Sequence, residues 1–342
     1  MSKKIVFVIL MSVLVGCQML SSSRLARFPQ FAEHRVAGPG TYQIPQWGPD
    51  GRYLAFFDVA KDPILMVYDT ETEKKWQVVT TNNSRHFSWM PNGDLTYLRH
   101  RPDLSGSPFP HLSELHRVDV HGNNDQIVAS NLSSAGDFAW FSDGQQAAIL
   151  LAPPDSDSFC KDVYLLDVTT GETTLLLNAE DVDLQCVTML DISPDNNSIL
   201  VDGIHEYNGS TEVQIVIYSL ETRTILDRFI PSQIVPSGNV TYPVPVIGDD
   251  TNYGWVDGER WILGQVNTPG GECYNYALFF LDTSDLENNF CIPSERGVFT
   301  APTISPDLTK ISYVSVLGPS NDYVMVGKVT PDLLDKLDLD DE

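Results

Sequence analysis

Six copies of one turn pattern divide most of this sequence into segments of similar length, and each copy is followed by an apolar, β-rich run. The copies are Trp47–Gly51, Trp89–Gly93, Trp140–Gly144, Ile192–Asn196, Trp255–Gly258 and Ile304–Leu308. In such a turn Pro presets φ, Asp or Asn hydrogen-bonds its own backbone, and Gly accepts a positive φ. Each copy therefore predicts a tight hairpin between two short strands.

A second apolar run follows each turn pattern, and in most copies it ends at an Asp. These runs are Leu65–Asp69, Leu115–Asp119, Val163–Asp167, Ile215–Ser219, Leu278–Asp282 and Tyr323–Val326. A polar turn such as Thr169–Gly171 then leads into another short strand. Four strands in about 50 residues, repeated six times, predict an all-β fold, a six-bladed β-propeller of four-stranded blades over residues 41–330.

Hairpins of the Ser-Pro-Asp-Gly kind, followed by a strand that ends in Asp, resemble the WD40-like (PD40-type) repeats of TolB and of prolyl-oligopeptidase-class propellers. The resemblance covers about residues 41–330 and is specific for the blade, so it says little about function. TolB also carries an N-terminal α/β domain, and the peptidases carry a catalytic hydrolase domain. Beside six blades, the 342 residues of this chain leave room for neither.

The sequence at the two ends of the propeller region predicts how the ring is closed and how the chain ends. The sixth repeat lacks a fourth strand, and the segment 31–37 is a candidate to supply it and close the ring. After the sixth repeat, Thr330 precedes Pro331 as an N-cap precedes the first helical residue. Residues 331–342 are therefore expected to form a short, acidic, helical tail.

The first residues resemble the signal peptide of a bacterial lipoprotein. Lys3 and Lys4 precede an uncharged apolar run, Ile5–Gly16, that is too short to span a bilayer, and Leu14–Cys17 resembles a lipobox. The resemblance implies removal of residues 1–16, diacylation of Cys17, and a lipid-anchored segment 17–40 that includes a tether and the candidate closing strand. A secretory signal or a buried strand is the alternative.

This leader predicts a protein of the cell envelope that faces outside the cytoplasm. Gln18 follows the cysteine, where an Asp would resemble the inner-membrane retention signal, so the outer membrane is expected in a Gram-negative source. Four cysteines remain, Cys160, Cys186, Cys273 and Cys291, and an even number in an exported chain suggests two disulfides. A zinc site is the alternative, but these cysteines have no CxxC spacing.

The blade pattern favours particular cysteine pairs. Cys160 precedes the third strand of blade 3 and Cys186 follows its fourth, while Cys273 and Cys291 are similarly placed in blade 5. Antiparallel neighbouring strands bring such ends together, so Cys160–Cys186 and Cys273–Cys291 are the expected disulfides.

Charge and motifs narrow the function classes. The chain has 46 acidic and 21 basic residues, and its formal charge of −25 argues against nucleic-acid binding, which needs clustered Lys and Arg. The sequence contains no Gly-x-Ser-x-Gly elbow, Walker loop or dinucleotide fingerprint. We therefore predict no catalytic residue, cofactor or metal ligand.

One polar loop stands out against this acidic background. In propellers, the loops that join second to third strands lie on the ligand-bearing face, and the loop Arg99–Glu114 of blade 2 is unusually long. The candidate binding residues are Arg85, His86, Arg99, His100, Arg101 and His111 of blade 2, with His205 of blade 4. They indicate a site for an anion or acidic saccharide at the mouth of the ring, or else a solvated loop that neutralises nearby carboxylates.

The sequence thus predicts a monomeric, non-enzymatic propeller lipoprotein that binds an envelope protein or a small anionic ligand with the loop face. The protein partner is implied by the resemblance to TolB. The alternative is a carbohydrate-active or metal-dependent propeller enzyme that uses the blade 2 loop. A Trp recurs at one position of four repeats, and this recurrence favours packing between blades over a carbohydrate platform.

Overall fold

The fold is all-β, as predicted, with six four-stranded antiparallel sheets. The structure is a computed structural model that describes residues 28, 30–59, 62–82, 84–101, 112–153, 160–207, 210–230, 254–257, 260–266, 277–295, 297–318 and 320–337. The described residues form the predicted six-bladed β-propeller.

The first three blades follow one another along the chain. Blade 1 consists of β2 (Tyr42–Trp47), β3 (Tyr53–Asp58), β4 (Ile64–Asp69) and β5 (Lys74–Thr80). Blade 2 consists of β6 (Phe87–Trp89), β7 (Leu95–His100), β8 (Leu112–Val118) and β9 (Gln126–Ser133). Blade 3 consists of β10 (Phe138–Trp140), β11 (Gln146–Leu151), β12 (Asp162–Asp167) and β13 (Thr173–Leu177).

The last three blades complete the ring. Blade 4 consists of β14 (Cys186–Ile192), β15 (Ser198–Tyr207), β16 (Ser210–Ser219) and β17 (Ile225–Phe229). Blade 5 consists of β18 (Gly254–Asp257), β19 (Trp261–Val266), β20 (Ala277–Asp282) and β21 (Phe290–Pro293). Blade 6 consists of β22 (Val298–Ile304), β23 (Lys310–Val316), β24 (Asp322–Lys328) and β1 (His34–Gly40).

The first strand of every repeat lies at the centre of the ring. The strands β2, β6, β10, β14, β18 and β22 contact one another in a closed cycle. Because neighbouring strands alternate in direction, turns joining first to second and third to fourth strands share one face, which we call the turn face. The connections from second to third strands and from blade to blade lie on the opposite face, which we call the loop face.

The repeated turn pattern forms the hairpins of the turn face. In blade 1 the Asp50 carboxylate accepts the Arg52 N–H at 3.0 Å, and Gly51 has a φ of 66°. Blades 4 and 6 lack the glycine, and there Asn196 and Leu308 adopt φ values of 62° and 56°. The turn therefore keeps its geometry even where a side chain must enter the left-handed region.

The Asp that ends the third strand organises the second turn of the blade. Asp69 accepts hydrogen bonds from Arg52 and from the backbone of Glu71, and the Arg52 bond lowers the pKa of this carboxyl. Burial alone would raise the pKa of Asp282, but hydrogen bonds from Arg260 and Ser284 lower it to about 2. The Asp at the end of the third strand therefore joins the turn after that strand to the turn after the first strand through a charged hydrogen bond.

Blade 6 receives its outer strand from the N-terminal side of the propeller. Strand β1 pairs antiparallel with β24, from His34 opposite Val326 to Gly40 opposite Asp322. The segment 31–37 that the sequence offered for this role overlaps β1, which continues three residues further. The ring is thus closed by pairing between strands distant in the chain.

The residues before β1 fill a hydrophobic core between blades 5 and 6. Phe28 is 0% exposed, and its ring lies 5.0 Å from Phe299 and 5.3 Å from Tyr313 in edge-to-face contacts. The Glu33 carboxylate accepts hydrogen bonds from the Phe28 backbone and the Tyr313 hydroxyl. The N-terminal segment is therefore held by packing as well as by strand pairing.

Helix α1 (Pro331–Leu337) follows β24 on the turn face and joins the same core. Leu333 and Leu337 are buried, and the Trp261 indole N–H donates to the Leu337 carbonyl at 2.8 Å. Residues 338–342 of the predicted tail lie outside the described residues.

The predicted disulfide Cys160–Cys186 is confirmed. Cys186 is the first residue of β14, so the bond fastens the start of the third strand of blade 3 to the inner strand of blade 4. By the chain-entropy estimate, a loop of this size contributes about 3 kcal/mol. Cys273 lies outside the described residues, and Cys273–Cys291 stays a prediction.

Residues 1–27 also lie outside the described residues, so the leader and Cys17 remain predictions. In the portion of the chain that the structure describes, no helix combines the length and the apolarity needed to cross a bilayer.

The burial of Phe28 gives the first prediction. Phe28→Ala should lower the free energy of unfolding by about 3–5 kcal/mol, because a fully buried ring leaves a cavity. Urea denaturation measures this loss. Leu175→Ala is the control, since Leu175 is 50% exposed on β13 and its truncation should cost no more than about 0.5 kcal/mol. Equal effects in both variants would show that residues before β1 are not part of the core.

Candidate functional site

The blade 2 residues singled out by the sequence do not form one group. Successive strand residues point to opposite sides of a sheet, so Arg99 and Arg101 share a side with Tyr97, whereas His100 points the other way. Tyr97 belongs to the core shared with blade 1, and its neighbour Leu98 to the core shared with blade 3. The basic run is thus divided between two interfaces.

On the side that faces blade 1, the arginines lie in a polar network, which we call the blade 2 network. Its members are Tyr97, Arg99, Arg101, Glu114, His116, Asp125 and Asn131. Register places Tyr97 opposite His116 and Arg99 opposite Glu114, and the Tyr97 and His116 rings stack at 5.1 Å. The network runs from Asn131 near the loop face to Asp125 near the turn face.

Carboxylates neutralise the positive charges of the two arginines in this network. The Arg101 Nε donates to Glu114 at 2.8 Å, and the Arg99 Nη2 lies 3.7 Å from Asp125. Hydrogen bonding from Arg101 lowers the pKa of Glu114. The predicted local positive cluster is therefore balanced by two acids on adjacent elements.

His116 and Tyr97 form the buried centre of the network. The His116 Nδ1 lies 2.9 Å from Asp125, and its Nε2 lies 3.4 Å from Glu114. The Tyr97 hydroxyl donates to Asp125 at 2.9 Å and accepts from Arg99 at 3.0 Å. Burial raises the pKa of Tyr97, and the bond to Asp125 adds to this rise.

The other candidate residues lie apart from the network. The His100 Nδ1 is 2.9 Å from the Ser113 hydroxyl on the opposite side of the sheet, and Arg85 and His86 are half-buried between β5 and β6. His205 belongs to blade 4, where its Nδ1 lies 2.8 Å from the Asp183 carbonyl. His111 lies outside the described residues.

A second group of polar residues, unforeseen from the sequence, lies beside the inner strands of blades 3 to 5. Asp137 accepts the Leu190 N–H at 3.2 Å, and Asp191 accepts the Trp255 N–H at 3.0 Å. Each of these carboxyls thus fastens one blade to the inner strand of the next. Asp202, which is 2% exposed, accepts the Thr188 hydroxyl at 2.5 Å.

Burial is the main cause of the raised pKa values of these three acids. It raises the pKa of Asp137 to about 7, and nearby Asp191 and Asp202 add to the rise. Burial likewise raises the pKa of Asp191 and of Asp202 to about 6. Across the described residues, no group of three His, Cys, Asp or Glu side chains is arranged to hold a metal ion.

Two of the recurring tryptophans hydrogen-bond to the preceding blade. The Trp89 indole N–H donates to the Gln46 carbonyl at 3.1 Å, and that of Trp140 donates to the Thr96 hydroxyl at 2.8 Å. Their repetition in the sequence reflects a repeated contact between blades.

Comparison with solved structures places this fold among propellers of different activities. TolB from Acinetobacter baumannii gives a TM-score of 0.53 at 13% identity, and the match covers 82% of this chain. The chain spans 65% of that TolB's length, just under two thirds.

Two enzymes have the same fold. A gluconolactonase from Xanthomonas campestris gives a TM-score of 0.58 at 15% identity, covering 89% of this chain and 92% of the enzyme. An oligogalacturonate lyase from Vibrio parahaemolyticus gives 0.55 at 12% identity, covering 90% and 96%. No protein-family model and no curated protein matches the sequence. These similarities establish a TolB-like propeller fold, and they do not transfer an activity.

The three buried acids predict a pH dependence of stability. Their pKa values are higher in the folded chain than in an unfolded one, so the folded state holds protons that the unfolded state releases. The free energy of unfolding should therefore fall as pH rises from about 5 to 8. Asp69 and Asp282, whose pKa values are lowered, titrate below this window.

Thermal unfolding between pH 5 and pH 8 measures this effect. Asp137→Asn keeps an oxygen that can accept the Leu190 N–H but removes the ionisation, so it should flatten the decline in Tm. Asp143→Asn, in an exposed turn of blade 3, should leave the slope unchanged. A native chain with the same Tm at both pH values would contradict the prediction.

Proposed function

We propose that this chain is an envelope lipoprotein, anchored through Cys17, whose propeller binds a protein partner or a small anionic ligand at the loop face without catalysing a reaction. The difference between the two faces of the ring carries the proposal. On the turn face, short turns satisfy their own polar groups, as in Asp50 and Asp69. On the loop face, several connections are longer, such as those that follow β7, β11 and β19, and the disulfide Cys160–Cys186 fastens the connection after β11.

Among the candidate binding residues that the structure describes, Arg101 is exposed at this face, whereas the others are half-buried. Its side chain is 46% exposed, while Glu114 and Asn131 hold its guanidinium in position. A positioned guanidinium suits a carboxylate or phosphate of a partner, because planar paired donors match those groups. The partner's anion would have to compete with Glu114, so this contact favours partners that bring several acidic groups.

Photo-cross-linking of the full chain in intact cells tests this proposal. A benzophenone amino acid at position 101 should give a discrete adduct, because that position lies on the loop face. The same amino acid at Asn92, which is exposed on the turn face of the same blade, is the matched control and should give none. Adducts only from position 92, or equal adducts from both, would contradict binding at the loop face.

The alternative function is a carbohydrate-active or metal-dependent enzyme. This alternative is supported by the gluconolactonase and the lyase, which are enzymes with the same fold. Metal analysis of the purified mature protein separates the two functions. The binding protein should contain no stoichiometric metal, whereas tightly bound metal that survives dialysis would favour the enzyme.

A further inference from the structure

We infer that the anchored propeller stands on the membrane with its turn face towards the bilayer and its loop face towards the aqueous phase. This inference rests on the proposed lipidation of Cys17. It adds a direction that the anchor alone does not give, and it restricts the partner to one approaching from the side away from the bilayer.

Strand direction places the point where the chain enters the ring on the turn face. Strand β1 is antiparallel to β24, with His34 opposite Val326 and Gly40 opposite Asp322. Since β24 runs from the loop face to the turn face, β1 begins at the turn face. Phe28 and Phe31 precede it and are buried there beside α1, in the core between blades 5 and 6.

Burial makes this entry point fixed. The Phe28 ring contacts Phe299 and Tyr313, and the Phe28 N–H donates to Glu33 at 3.0 Å. The chain between the anchor and the ring is therefore limited to residues 18–27. Freeing more chain would require breaking the core contacts of Phe28 or the pairing of β1.

The length of this segment is short compared with the ring. Fully extended, ten residues reach about 35 Å, whereas as a coil they span about 18 Å on average. The seven residues of β1 alone rise about 23 Å between the two faces. For the loop face to touch the bilayer, residues 18–27 would have to cover at least this height, which exceeds their average coil span and uses about two thirds of their full extension.

Charge keeps the turn face from adhering to anionic lipid. Exposed or half-exposed acids occupy its turns, among them Asp50, Glu71, Glu73, Asp143, Glu172, Asp195, Glu221, Asp285 and Glu287. Anionic headgroups repel such a surface. The ring should therefore stand off from the bilayer within the reach of its tether, leaving the loop face exposed to a soluble or opposing-membrane partner.

Energy transfer to labelled lipid tests the orientation. Two exposed glutamates of blade 3 form a matched pair, since Glu172 lies on the turn face and Glu180 on the loop face. The full lipidated chain, carrying a donor on an azide amino acid at either position, is reconstituted into phosphatidylethanolamine–phosphatidylglycerol vesicles with acceptor headgroups. Transfer from position 172 should be about twofold higher, because the two sites differ in height by roughly one strand, ~20 Å.

Two further variants separate the possible results. About 20 Gly/Ser residues inserted after Ser23 lengthen the coil to about 30 Å and should remove the difference between the two positions. Cys17→Ser should abolish membrane binding.

Equal or reversed transfer in a membrane-bound native chain would overturn the proposed orientation without contradicting the lipid anchor. A native chain that stays soluble and lacks acyl mass would overturn both.

Discussion

The pairing of β1 with β24 is the contact on which the closed ring depends. A propeller of open sheets has no outer barrel to hold it, so its blades are kept together by faces that pack in a cycle. Without β1, blade 6 would expose the edge of β24, and the core between blades 6 and 1, which contains Val36 and Ala37, would lose one of its walls. This closure also fixes where the chain before β1 enters the ring.

Local chemistry made the blades predictable from the sequence. The turn pattern and the strand-ending Asp each specify a turn within one blade, and the contacts of Asp50 and Asp69 show why those residue types recur. A disulfide between neighbouring strand ends was predictable for the same reason, because blade order alone brings Cys160 near Cys186.

The candidate site was less predictable, because its partners come from different strands and blades. A run of Arg and His in one loop suggested a positive patch, yet β-strand alternation separates His100 from Arg99 and Arg101. Glu114 and Asp125 then neutralise the arginines. Asp137 and Asp191 owe their raised pKa values to burial against the next blade, a contact between segments more than 50 residues apart. The alternation of side chains along β7 was the sequence signal that could have predicted that these basic residues point to two different sides of the sheet.

Among the strands of the described residues, β1 comes first in the chain and β24 comes last. A chain emerging from a ribosome therefore presents β1 early and its partner β24 only after the other strands have been made. Blades 1 to 5 can each form from neighbouring segments as they appear, but β1 can pair with β24 only after blade 6 has appeared. A chain truncated before β24 would retain blade-like hairpins and still present two open sheet edges, which are templates for pairing with other chains.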